Sequence, residues 1–174
     1  PFLTKDSLKY AHDAIDSTWI SSHGKYLNMV EEILKDYTGS KHVILTNNGT
    51  SATHLVACAL KYKNPFISSL IVPSNVYIAS WKMFKTIPSY MFLPVDSDLE
   101  TWNMDFNYLN ESEYLKDNVG LLAVHNIGNI INIPKFKIKN PKMVVVEDNC
   151  EGFLGFYGGR PSGTASLAHS ISFF

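Results

Sequence analysis

A three-layer α/β/α sandwich with a mainly parallel sheet is the fold class this sequence predicts, on three observations. Short β-branched apolar runs alternate with amphipathic stretches of helical period. The strongest runs are apolar throughout, as strands covered on both faces must be. Several of them end in small polar or charged turns, the place where an open α/β sheet meets its ligands.

Composition sets the outer bounds. The 174 residues carry a net charge of −1 and are 45% hydrophobic, enough for one domain, 1–174, with a substantial core. No excess of basic charge points to nucleic acid or to an acidic membrane as partner. No apolar run approaches a bilayer span and no segment has the pattern of a signal peptide, so a soluble cytoplasmic protein is expected. Cys58 and Cys150 lie far apart, with no Cys or His at metal-ligand spacing, so neither a disulfide framework nor a metal site is indicated. The chain begins at Pro1 and ends in the apolar run Ile171-Ser172-Phe173-Phe174, which reads as a fragment of a longer protein, because a strand stopping there leaves an uncovered edge.

In order along the chain, Thr4 to Ser17 reads as a helix capped by Thr4, with Leu8, Ala11, Ala14 and Ile15 on one side. A polar loop, Ser21 to Lys25, leads to a second helix with Leu27, Val30, Ile33, Leu34 and Tyr37, stopped by Gly39. Lys41 to Thr46 is a strand candidate that runs into Asn47-Asn48-Gly49-Thr50-Ser51 and a third helix. Ile67 to Val72 is the next strand, closed by Pro73, and Ser74-Asn75 starts a helix that carries Tyr77 in its first turn and continues to Phe84. Ser89 to Leu93 is a further strand, and Glu100 to Asp105 opens a helix-loop segment. Gly120 to His125 is a buried strand, whereas Lys135 to Lys142, with four lysines in eight residues, reads as a solvated turn. Met143 to Val146 is the central strand. After Glu151 come a short helix or turn, a small hairpin with Gly158-Gly159 at its tip, and a final strand from Ala168 to Phe174.

The polar strand ends are the candidate site. The central strand ends in Glu147-Asp148-Asn149-Cys150-Glu151, and a carboxylate there loses water and needs compensation. Asp148 either caps the following helix or holds a protonated ring nitrogen. Strand, small polar turn and helix around Gly49-Thr50-Ser51 have the geometry of an anion site, in which Gly lets the backbone approach and hydroxyls and free N–H groups face the anion; an ordinary capped turn has the same pattern. Tyr77 can stack on a flat ring or serve as core, and His125 is another polar group at a strand end, most often a hydrogen-bonded structural one.

Together these residues resemble the DegT/DnrJ/EryC1/StrS group of pyridoxal phosphate (PLP)-dependent nucleotide-sugar aminotransferases. The resemblance runs through Trp19-Ile20-Ser21-Ser22, Asn48 to Leu55, Val72-Pro73-Ser74, Glu100 to Asp105, Val124-His125 with Gly128-Asn129, Glu147-Asp148 with Glu151, and Ser170 to Phe174. Trp102-Asn103-Met104-Asp105 and Glu151 are most similar to the GDP-perosamine synthases of that group. The resemblance implies fold type I, with this chain an incomplete large domain lacking its C-terminal small domain, and a homodimer when full length. It implies that Gly49, Thr50, Ser51 and Ser172 contact the cofactor phosphate, that Tyr77 stacks on the pyridine ring, that Asp148 pairs with the ring nitrogen, and that Glu151 lies near the ring hydroxyl. The Schiff-base lysine is expected just after Phe174. The implied reaction moves an amino group from glutamate to the keto carbon of a nucleotide-linked 4-keto-6-deoxy sugar. Asp148-Asn149-Cys150-Glu151 is also similar to the group's 3-dehydratases, in which a His replaces that Lys, although Asn48 to Ser51 and Trp102-Asn103 favour the aminotransferases. A non-catalytic module that binds a sugar nucleotide or a partner subunit is the alternative from another class.

Overall fold

Parallel strand pairing organises the larger part of the chain. The computed structural model describes residues 3–88 and 90–173. Two compact units are present, Pro1–Leu45 and Thr46–Phe174.

In the first unit, α1 (Lys5–Asp16) is capped by the Thr4 hydroxyl, which accepts from the Ser7 N–H at 3.1 Å. α2 (Lys25–Thr38) ends where Gly39 adopts a left-handed φ of 66°. Both termini match the sequence reading. Lys41 to Thr46 does not form the expected strand. It pairs with no strand among the described residues, and Ile44 is 70% exposed. Strand propensity without a ladder partner yields only irregular chain.

The second unit begins with α3 (Gly49–Lys63) and contains a five-stranded sheet in the order β2-β1-β3-β4-β7. These strands are β1 (Ser69–Pro73), β2 (Met91–Val95), β3 (Val119–Val124), β4 (Val144–Asp148) and β7 (His169–Ser170), and every pair is parallel. β2 lies at an edge, which is why it tolerates Pro94. β5 (Phe156–Tyr157) and β6 (Arg160–Pro161) form the expected hairpin, with Gly158 and Gly159 both at positive φ as a tight two-residue turn requires.

Side-chain alternation splits the core in two. Ile71, Leu121 and Val145 pack on one face with Leu109 of α5 (Phe106–Glu111) and Ile133 and Phe136 of α6 (Ile133–Lys139). Leu70, Leu122 and Val146 pack on the other with Val56, Ala57 and Leu60 of α3 and with Phe84. The three-layer α/β/α sandwich is therefore the observed architecture.

Four segments depart from the sequence reading. Lys135 to Lys142 is not a solvated turn, because α6 forms there with the Asn132 side chain accepting from Lys135 N–H at 3.0 Å and Pro134 in its first turn. The lysines obscure an apolar stripe. The helix expected from Ser74 shrinks to α4 (Ala79–Lys82) and a 3₁₀ turn, Met83–Thr86, so Tyr77 lies in the preceding turn. The strand predicted from Ser89 to Leu93 is shifted to β2; Ser89 itself, like Phe174 in the last predicted strand, lies outside the described residues. That last strand shortens to β7.

Leu121 is fully buried on a strand with neighbours on both sides. Leu121→Ala should lower unfolding free energy by about 2–5 kcal/mol in urea denaturation, whereas the same change at exposed Leu99 should stay within about 0.5 kcal/mol.

Candidate active site

The C-terminal end of β4 carries two carboxylates, and strand alternation sends them to opposite faces. Glu147 faces the α6 layer. It is 2% exposed, and its Oε2 accepts from His125 Nε2 at 2.9 Å and from Gly163 N–H at 3.3 Å. His125 Nδ1 accepts the Ile131 N–H at 3.1 Å, so the imidazole proton sits on Nε2 and points at Glu147. Burial alone would raise the Glu147 carboxyl, but the hydrogen bond from His125 and the nearby His125 and His169 rings hold it below its ordinary value. His125 is thus a structural partner, turned away from the rim.

Asp148 faces the α3 layer. It is 5% exposed, and its Oδ1 accepts the Cys150 N–H at 3.0 Å and lies 3.5 Å from Ser170 Oγ. The Thr53 hydroxyl, one turn into α3, is 3.1 Å from Ser170 Oγ and 3.0 Å from the Gly49 carbonyl. A chain of polar contacts therefore links the carboxylate to the start of the helix. No Lys, Arg or His forms an ion pair with Asp148 among the described residues.

α3 starts with an orderly cap. The Asn48 side chain accepts the Ser51 N–H at 2.8 Å, and the N–H groups of Gly49 and Thr50 have no acceptor within the helix. A Cβ on Gly49 would sit 3.1 Å from Cys150 Sγ and 3.1 Å from Ser172 Cβ, so glycine is what lets the helix start approach the β4 and β7 ends. The structure thus brings Gly49, Thr50, Ser51, Asp148, Cys150 and Ser172 together. Burial first, and then the Asp148 charge, push the Cys150 thiol up to about 12, which leaves it a packing group and no nucleophile.

The other two predicted residues sit differently. Glu151 is exposed, with Oε2 held by the Ile127 N–H at 2.6 Å, so it is anchored to the loop after β3. Tyr77 is 72% exposed in the turn after β1. The sequence reading missed Thr53, Ser170 and the role of Glu147. The parity of the strand carries the last of these, since residues 147 and 148 must face opposite layers.

An uncapped pair of N–H groups and a Ser hydroxyl at the start of a 15-residue helix bind a phosphate well, while a buried carboxylate nearby favours a cation. The model of the DegT/DnrJ/EryC1/StrS aminotransferase family matches residues 1–174. The chain belongs to this family. Within it, GDP-perosamine synthase of Caulobacter vibrioides is 33% identical over 176 residues, covering 100% of this chain and 46% of the relative. GDP-4-keto-6-deoxy-D-mannose 3-dehydratase of Escherichia coli O55:H7 is 26% identical over 181 residues, covering 98% of this chain and 45% of the relative. A solved structure of GDP-4-keto-6-deoxymannose-3-dehydratase with bound GDP-perosamine superposes with a TM-score of 0.86 at 25% identity, over 96% of this chain and 44% of that one. The chain thus spans just under half the length of the curated family relatives it matches. No helix among the described residues of this family member is long and apolar enough to cross a membrane.

Glu147 and the half-buried His169 make stability depend on pH. Burial lowers the His169 ring below its ordinary value of 6.5, with Glu147 opposing. As pH falls below 6.5, the unfolded chain therefore takes up a proton at His169 before the folded chain does, and stability is lost. Below 4.5 the unfolded chain likewise protonates Glu147 first, and stability falls again. The urea midpoint should drop in two stages on acidification, and His169→Gln should flatten the first.

Proposed function

We propose that the protein containing this chain uses pyridoxal 5'-phosphate to transfer an amino group from glutamate to a nucleotide-linked 4-keto-6-deoxy sugar. The observation that carries the reading is Asp148, a buried carboxylate without a cationic partner among the described residues, linked through Ser170 and Thr53 to a helix start suited to phosphate. One ligand with a phosphate and a basic ring nitrogen satisfies both. Two GDP-perosamine synthases, 33% and 31% identical across the full chain, support the choice of reaction.

In this reading the Gly49 and Thr50 N–H groups and the Ser51 and Ser172 hydroxyls hold the phosphate. Asp148 keeps a proton on the ring nitrogen by placing a negative charge beside it where water is excluded. Tyr77 covers a ring face, and Glu151 stands near the ring hydroxyl, its carboxylate aimed by the Ile127 N–H. When bound, the cofactor supplies an electron sink for the electrons left as the amine donor gives up its α-proton. The lysine that moves this proton is expected just after Phe174. Residues 1–174 are an incomplete part of the larger, cofactor-holding domain of a cytoplasmic homodimer.

A second reading, a 3-dehydratase of the same family, is supported by the 0.86 TM-score to such an enzyme. The two differ in product. Native protein incubated with cofactor, nitrogen-15 glutamate and the GDP-linked keto sugar should yield a labelled amino sugar; a sugar that has lost its 3-hydroxyl would select the dehydratase. Asp148→Asn should reduce turnover by about a hundredfold or more. A native protein that develops no visible absorbance band with PLP would overturn both readings.

A further inference from the structure

Three asparagine side chains tie together the loops that follow β1, β2 and β3. Asn126 Nδ2 donates to two backbone carbonyls, Asn75 at 3.1 Å and Trp102 at 3.0 Å, and so engages both of its protons. The Asn126 N–H donates to Asn103 Oδ1 at 3.0 Å, and Asn103 Nδ2 donates to the Asn129 carbonyl at 3.0 Å. Asn129 Nδ2 closes the circuit on the Thr101 carbonyl at 2.9 Å. The next amide along, Ile127 N–H, is the one that holds Glu151.

The loops so joined are strained. Trp102 and Ile127 have φ of 60° and 55°, a left-handed conformation that bulky and β-branched residues rarely adopt. Their side chains are 55% and 71% exposed, so core burial does not hold them there. The asparagine hydrogen bonds do, together with backbone turn bonds such as Trp102 N–H to the Asp98 carbonyl at 2.9 Å and Gly128 N–H to the His125 carbonyl at 3.2 Å. Asn126 and Asn103 are themselves buried, so each lost bond would leave an unsatisfied polar group.

From this geometry we infer that Asn126 is a positioning residue. Its two donated bonds and the adjoining Ile127 amide fix the Tyr77, Trp102 and Glu151 segments in one arrangement before any ligand arrives, so binding need not order them. The inference rests on the functional reading above for the identity of the ligand, and on the hydrogen bonds for the clamp itself. Only a neutral side chain with two donors on one nitrogen can serve both carbonyls at this length. An isosteric carboxylate would oppose them.

Asn126→Asp in the native protein tests this without a change of volume. Amide hydrogen exchange, read without cofactor, should show Ile127 exchanging about tenfold faster in the variant while the β3 and β4 amides keep their rates. With PLP added, the visible circular dichroism of the cofactor should weaken, and the KM for the sugar nucleotide should rise about tenfold with a smaller change in kcat. Unchanged Ile127 exchange together with an unchanged dichroic band would overturn the inference. Should the variant lose the protection of β3 and β4 as well, Asn129→Ala, which removes only the Thr101 strut, is read in the same way. It should speed Ile127 exchange about threefold, and no change would overturn the clamp. A native protein that shows no cofactor band but the expected exchange would sink the functional reading and leave the clamp standing.

Discussion

The rim depends on β4 being paired on both sides. Five residues of β4 are in register with β3, and Glu147 and Asp148 are in register with His169 and Ser170 of β7. That double pairing fixes the parity of the strand end. Glu147 then falls in the layer of His125 and α6, and Asp148 in the layer of Ser170 and α3. A slip of one residue would exchange them, placing the carboxylate that His125 hydrogen-bonds against the helix start. Val144-Val145-Val146 is apolar toward both layers and does not distinguish the two registers; the bonds of Glu147 to His125 and Gly163 and of Asp148 to the Cys150 N–H are what resist the slip.

Much of this is written locally and was legible for that reason. The Thr4 cap, the Gly39 stop, the Gly158-Gly159 turn and the apolar runs of β1, β3 and β4 each depend on a few adjacent residues. The failures share a different cause. His42 to Leu45 has strand composition, but a strand is a relation to a partner, and no local pattern supplies one. α6 hides its buried Ile133 and Phe136 between lysines whose charge dominates a reading by composition. At the site, the anion-binding turn and Asp148 could be named from their places at element ends. The asparagine network could not, because Asn126 reaches 51 residues back to Asn75 and 23 back to Asn103. Such bonds follow only from the sheet order.

Two kinds of rigidity meet at this rim. Around Glu147 the polar groups are buried, with Glu147 Oε2 bound to His125 and the Gly163 N–H, and close contacts to glycine surround them: a Cβ on Gly152 would lie 2.6 Å from His125 Cβ, and one on Gly163 2.8 Å from the His169 ring. The site face is looser. Its loops expose bulky residues at left-handed φ and are kept in place by buried side-chain amides and backbone turn bonds. Low burial with fixed geometry suits a surface that must meet a ligand, since backbone strain there is offset by hydrogen bonds and the apolar side chains stay available.

The two neighbouring carboxylates show what each arrangement is for. A buried carboxylate that lacks a partner costs several kcal/mol, so a fold keeps one only if the charge is compensated within the protein or by something it binds. Glu147 has its compensation in His125 and the Gly163 amide. Asp148, with nearly the same burial, has one backbone amide at 3.0 Å and a hydroxyl 3.5 Å away. The first carboxylate is therefore structural. The second has fewer donors of its own and lies beside the start of α3, which is where the proposed cofactor's ring nitrogen and phosphate would be held.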